Sequence, residues 1–171
     1  MASRVDNGLT LIELLIVLAM IAVLTALSAA GLIRSRAAAN EVGAIASIRV
    51  ISSSQKAYAA TCGGGAYATG YVVLGTSVGG DPAFISADLG SVASPVKAGY
   101  RFALAPGAGS TAGPADCLGR PTITAFYASA APVSTWTGAR SFAVTANGTI
   151  WQIPGSTPPP EPFGPPARPI Q

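Results

Sequence analysis

Asn7-Gly8-Leu9-Thr10-Leu11-Ile12-Glu13-Leu14-Leu15-Ile16-Val17 leads into the most apolar part of the chain. Residues 14–24 form an unbroken run of eleven apolar side chains, and no residue from 14 to 33 carries a charge. Only Thr25, Ser28 and Gly31 dilute the stretch. Twenty such residues in a helix reach about 30 Å, the thickness of a bilayer's hydrocarbon core. Arg34 and Arg36 close it, where long cationic side chains reach headgroups. Three readings fit: a cleavable secretory signal with Ala26-Leu27-Ser28 as the small-residue site, a plain single-span anchor, or a helix that also needs the residue before it, Glu13. A carboxylate at that edge costs ~1–3 kcal/mol on insertion scales. A signal gains nothing from it, so Glu13 asks for a partner.

Composition narrows the rest. The chain has 171 residues, and alanine supplies 33 of them; charged residues make up 10%, against about 25% in ordinary soluble domains. A net charge of +3, scattered along the chain, is no nucleic-acid footprint, and no nucleic-acid partner is expected. The absence of histidine removes imidazole bases, His-ligated metals and Ser-His-Asp chemistry. Two cysteines cannot make a four-thiolate zinc site. No catalytic residue, cofactor or metal ligand set is assigned.

The stretch around Glu13 resembles the processing site of type IV pilins and type II secretion pseudopilins. The resemblance implies a leader, residues 1–8, cut between Gly8 and Leu9, and N-methylation of Leu9 by the same membrane peptidase. It places Glu13 fifth in the mature chain. Cutting there creates a cationic α-amine on Leu9, and Glu13 lies one helical turn away. Its carboxylate can then neutralise the amine of a neighbouring subunit as helices pack side by side; burying either charge alone is costly, so the pair sets axial register. The match covers about a dozen residues directly. Leu9 departs from the family's usual Phe. The family's late helix proline and its glycine are missing where Ala30 and Ala22 stand; a ridge of Ala22, Ala26 and Ala30, spaced for close helix approach, stands instead. The leader brings Arg4, with the Met1 amine and Asp6 beside it, while Arg34 and Arg36 follow the span. Positive-inside counting alone would put the body in the cytoplasm, and the cysteines and the resemblance argue for the other side.

Helical character continues past Arg36. Ala37-Ala38-Ala39 favours helix, and Val42, Ile45, Ile48, Ile51 or Ser52, Gln55 and Tyr58 recur at three- and four-residue spacing, with Glu41, Arg49 and Lys56 on other faces. No proline interrupts residues 9–60, so the pattern predicts one helix of about 75–80 Å. Its first half (9–33) is membrane-spanning and its second (34–61) amphipathic. Gly63-Gly64-Gly65 ends it; glycines that follow a helix offer no phosphate cradle. Gly79-Gly80-Asp81-Pro82 is turn chemistry. Three alternations then read as strands: Tyr100, Phe102 and Leu104; Ile123, Ala125 and Tyr127, within 122–129; Phe142 and Val144. Asn147-Gly148 is a two-residue hairpin signal joining 142–145 to 149–153. The fold class expected is α+β and pilin-like, a long N-terminal helix on a small, about four-stranded antiparallel sheet, in a head spanning 34–153. Residues 154–171 hold eight prolines and should form an extended, mobile tail, either bare or a partner's ligand.

Each remaining chemical candidate has a plain alternative. Cys62 and Cys117 can pair in an exported body, adding ~4 kcal/mol in the chain-entropy model, or remain two buried thiols. Ser53-Ser54-Gln55-Lys56 has S-x-x-K spacing, but S-D-N is absent and Lys97-Ala98-Gly99 lacks the hydroxyl of K-T-G. Of the acids Asp81, Asp88 and Asp116, Asp81 and Asp88 are the two that suggest calcium, and two scattered carboxylates fall far short of the six to eight oxygens it wants. Arg34, Arg36, Arg49 and Lys56 fit headgroups and subunit contacts better than DNA. Asn147-Gly148-Thr149 is a formal glycosylation acceptor better explained as a turn. The function expected is a non-enzymatic structural subunit of a type IV pilus or pilus-like filament, with a secretion pseudopilin as the near alternative. A membrane-tethered binding domain is the alternative from another class. Implied partners are copies of itself or related pilins, the prepilin peptidase/methyltransferase, an assembly platform and the inner membrane. The chain would pass from a single-pass inner-membrane state to an extracellular filament or periplasmic pseudopilus.

Overall fold

The computed structural model describes residues 10–170, without the side chains of 26–30. The chain divides into two units between Ser35 and Arg36. One α-helix, α1 (Leu11–Thr61), runs through this boundary. In the N-terminal unit the described large apolar side chains of α1 are solvent-exposed, from 42% at Ile33 to 82% at Leu11. In the head, α1 buries a stripe of Glu41, Ala44, Ile48, Ile51, Gln55, Tyr58 and Cys62, alternating steps of three and four. Full burial of Ile48, Ile51 and Tyr58 contributes ~1.5–3 kcal/mol each.

The stripe begins differently from the periodicity. Val42 is 68% exposed and Ile45 half-buried, while Glu41, expected on an outer face, is buried. Glu41 tolerates burial because its Oε1 accepts the Ala139 N–H (2.9 Å) and its Oε2 the Arg140 Nε–H (2.9 Å). Gly43 helps the helix sit close here, since a Cβ on it would lie 3.3 Å from the Ala98 Cβ. The glycines close α1 as expected: the Gly63 N–H bonds the Tyr58 carbonyl (2.8 Å), and Gly64 takes a left-handed φ of 58°.

Past the cap, β1 (Tyr67–Ala68) leads to the short helices α2 (Tyr71–Leu74) and α3 (Ala87–Gly90). Strands β2 (Val96–Lys97), β3 (Tyr100–Pro106), β4 (Thr122–Ile123), β5 (Phe126–Pro132), β6 (Arg140–Thr145), β7 (Ile150–Pro154) and β8 (Arg168–Pro169) follow. Two antiparallel sheets result: β1 with β4, and a six-stranded sheet in the order β2-β3-β5-β6-β7-β8. The α+β class holds, but the sheets are larger than the four strands expected. Register puts Phe102 opposite Ala130 and Ala130 opposite Phe142 on the buried face. Tyr100, Phe102, Phe126, Ala128, Ala130, Phe142 and Val144 join the α1 stripe in one core. Gln55 is wholly buried yet satisfied. Its Nε2 donates to the Ala68 carbonyl (2.9 Å) and its Oε1 accepts the Ala68 N–H (2.8 Å), so the side-chain amide acts as a strand partner for β1.

Three expectations are corrected. The single strand over 122–129 is two, β4 and β5, and the break at 124–125 shifts the alternation, so Phe126, Ala128 and Ala130 face the core while Ala125 and Tyr127 do not. Val144 pairs with Ile150, and four residues, 146–149, connect β6 to β7 where a two-residue turn was expected. The proline-rich tail is not a free appendage. Its β8 pairs with β7, the Ile170 N–H bonds the Ile150 carbonyl (2.8 Å), and Ala167 is buried. Phe163 stacks on Trp151 with ring centroids 5.4 Å apart, Tyr127 donates to the Pro159 carbonyl (2.7 Å), and Ser141 donates to the Gly155 carbonyl (2.6 Å). Prolines lose little entropy on ordering and carry no N–H to leave unsatisfied, so a few apolar anchors suffice to lay the tail on the sheet.

Candidate functional site

The processing residues Gly8 and Leu9 lie outside the described residues. The description begins at Thr10, which starts α1: its Oγ1 accepts the Glu13 N–H at 3.3 Å, and its carbonyl accepts the same N–H at 3.1 Å. Thr10-Leu11-Ile12-Glu13 is thus the T-x-x-E pattern of a helix N-terminus, a signal present in the sequence and missed there. Glu13 is solvent-exposed in the first turn, where a negative charge also suits the helix dipole. Leu14, Leu15, Ile16, Val17 and Leu18 follow, each 47–59% exposed. Among the described residues no helix is long and apolar enough to cross a membrane. The stretch expected to span includes 26–30, whose side chains are undescribed, and Ala26 and Ala30 of the small-residue ridge are among them.

In the head a disulfide joins Cys62 to Cys117, with Cα atoms 4.8 Å apart and the Cys117 N–H on the Cys62 carbonyl (2.8 Å). With the partners 55 positions apart, the closure is worth ~4 kcal/mol in the chain-entropy model. Beside it stands a clamp that the sequence did not announce. Asp116, its side chain inaccessible to solvent, accepts four hydrogen bonds: from the Leu118 N–H (2.9 Å), the Arg120 N–H (2.8 Å), Arg120 Nε (2.7 Å) and the Tyr58 hydroxyl (2.7 Å). Burial alone would raise its pKa; the Arg120 amide, the Tyr58 hydroxyl, the Arg120 guanidinium and the Leu118 amide outweigh burial and hold it well below the ordinary carboxylate range. Burial first, and the Asp116 charge second, push the Tyr58 hydroxyl up to about 12. Tyr58 sits one turn before Cys62 on α1, so an ionic clamp and a covalent one fix the same helix end to the 116–120 turn. The available signal was the adjacency of Asp116 to Cys117 and its i,i+4 spacing to Arg120.

The acids considered for calcium are not brought together. Asp88 pairs with Lys97 (2.7 Å) and accepts the Ser86 hydroxyl, and Asp116 is committed to its clamp. Among the described residues no cluster of three His, Cys, Asp or Glu side chains occurs. Ser53 and Lys56 are both exposed, and Ser53 donates to the Val50 carbonyl (2.9 Å). Asn147 accepts the Thr149 N–H (3.2 Å) at its turn.

Residues 3–29 match the prokaryotic N-terminal methylation motif. This is the prepilin signal of type IV pilins and pseudopilins, and it marks structural pilin-type proteins rather than an enzyme family. It implies processing by a prepilin peptidase and assembly with other pilins. No curated protein and no solved structure matches the chain.

Proposed function

We propose that the chain is a structural filament subunit, a precursor cut between Gly8 and Leu9, methylated on Leu9, and polymerised through the apolar part of α1 into a type IV pilus or pilus-like filament. The observation that carries this reading is the coincidence of the methylation motif over 3–29 with a helix surface whose described large apolar side chains, Leu11 to Leu24 with Leu32 and Ile33, are solvent-exposed. Such a surface is stable only in lipid or against other helices. Before assembly, residues 9–33 hold the precursor in the inner membrane. On assembly, Glu13 pairs with the Leu9 amine of a neighbour, so the charge that is costly in lipid favours the filament. The head, braced by Cys62–Cys117 and the Asp116 clamp, is carried on the outside.

Two measurements test this. The mature protein from its own cells should begin at Leu9 and carry one added methyl group; a chain starting at Met1 or near Ala29 overturns the reading. Glu13→Ala should be expressed and cut normally but stay out of filaments, and normal incorporation counts against the proposed pair.

A further inference from the structure

Trp136 is 69% exposed, and the other aromatic side chains among the described residues are buried or half-buried. A single exposed apolar residue needs no explanation. This one is presented by a loop that is bolted down. Within it, Thr137 donates through Oγ1 to the Ser134 carbonyl (2.8 Å), and its Oγ1 accepts the Ser134 N–H (3.1 Å). Asn40 Nδ2 holds the Thr137 carbonyl (3.1 Å), Glu41 holds the Ala139 N–H (2.9 Å), and the Val133 N–H bonds the Gly99 carbonyl (2.9 Å). Gly138 returns so close to Tyr100 that a Cβ there would lie 2.0 Å from the hydroxyl oxygen. The loop is therefore a fitted part of the head, and Trp136 points outward by construction.

Its place in the head gives that exposure a meaning. The head begins at Arg36, and Asn40 and Glu41, which hold the loop, follow within four and five residues, about 6–8 Å of helix rise. Residues 132–139 carry no charge between Pro132 and Ala139, and the depression beside them is lined by uncharged residues, among them Val133 (51% exposed), Ser134 and Ser156. Glu41, the carboxylate that bonds the end of the loop, is buried and paired with Arg140, so it offers nothing to repel an anionic lipid. Arg36 is exposed at the same end of the head. An amphipathic indole on an uncharged loop, with a cation at the same end of the head, is the combination that membrane interfaces select.

We propose that the 132–139 loop is a lipid-facing foot: in the membrane-held precursor, Trp136 and Val133 enter the headgroup zone and seat the head on the bilayer surface. This rests on the reading that residues 9–33 are membrane-embedded before assembly. The test uses the full chain carrying Trp151→Phe, which keeps an aromatic ring against Phe163 and leaves Trp136 as the sole tryptophan. The chain is reconstituted in phosphatidylethanolamine–phosphatidylglycerol vesicles with lipids brominated either next to the headgroup or at the acyl-chain end. Headgroup-proximal bromine should lower Trp136 emission about twofold or more, chain-end bromine far less. The companion chain with Trp136→Phe, reporting from Trp151, should lose little with either. Co-flotation with the vesicles but unquenched Trp136 emission overturns the foot and leaves the membrane-held precursor standing. So does a Trp136 that becomes shielded only in assembled filaments, which would make it a subunit contact. Failure to co-float at all sinks the membrane-held reading and the foot together.

Discussion

Replacing Asp116 with alanine removes the acceptor for four donors at once and leaves Arg120 without its counter-charge. Breaking a buried ion pair from one side costs about 3–5 kcal/mol. The lower end applies, because the Arg120 side chain is 24% exposed and regains some water, although its Nη2 is already buried without a hydrogen-bond partner. A loss of about 3 kcal/mol in a head of this size lowers Tm by roughly 10 °C. Thermal unfolding of the full chain in detergent, followed by near-ultraviolet circular dichroism, reads it directly. The acid dependence supplies a second arm. The folded Asp116 pKa is depressed, so its stabilisation is fully present above the ordinary unfolded value near 3.9 and is lost as pH falls from there through the folded pKa. The gap between wild type and Asp116→Asn should stay constant from about pH 7 to pH 5 and narrow below pH 4. A drop under about 1 kcal/mol, or a gap that ignores acid, would refute the clamp.

Three further outcomes follow from the same geometry. Reducing the Cys62–Cys117 bridge, or replacing both cysteines with serine, should cost up to about 4 kcal/mol in denaturant unfolding without altering the native circular dichroism spectrum. Truncating the chain after Gly155 should deprotect the amides of β7 in hydrogen exchange while those of β3 stay slow, because β8 is a strand partner of β7 whereas β3 is paired by β2 and β5. Glu41→Gln removes the carboxylate's charge and leaves one oxygen where Arg140 and the Ala139 N–H use two, and should lower stability by about 1–2 kcal/mol; an unchanged Tm would mean Arg140 is held by Gln152 alone.

What could be read from the chain divides along physical lines. The helix, its glycine stop, the Ile48–Tyr58 part of its stripe and the alternation of β3 follow from local periodicity, and each is where the structure places it; Phe142 and Val144 reach the core as well, but β6 buries Ser141 and Ala143 on its other face. The failures share a cause: a long-range partner changed what a local pattern meant. Glu41 is buried because Arg140 waits on β6, and Val42 is exposed as a result of that rotation. Tyr127 faces away from the core because the tail supplies Pro159 and Phe163 to meet it. Composition marked residues 154–170 as extended, which β8 is, but could not say that Trp151 and Tyr127 would receive them. At the N-terminus the reverse holds. The motif over 3–29 is legible in sequence alone, while its meaning lies in other chains.

The bond between Glu41 and Arg140 joins residues 99 positions apart. At synthesis rates of about 5–20 residues per second, the helix spine is made some 5–20 seconds before the strand that anchors it. Throughout that interval Ala44, Ile48, Ile51 and Tyr58 form an uncovered apolar ridge directly behind an apolar segment. The spine is thus completed as an apolar surface whose cover lies entirely in residues still to be made, so burial of its stripe reports completion of the sheet rather than of the helix.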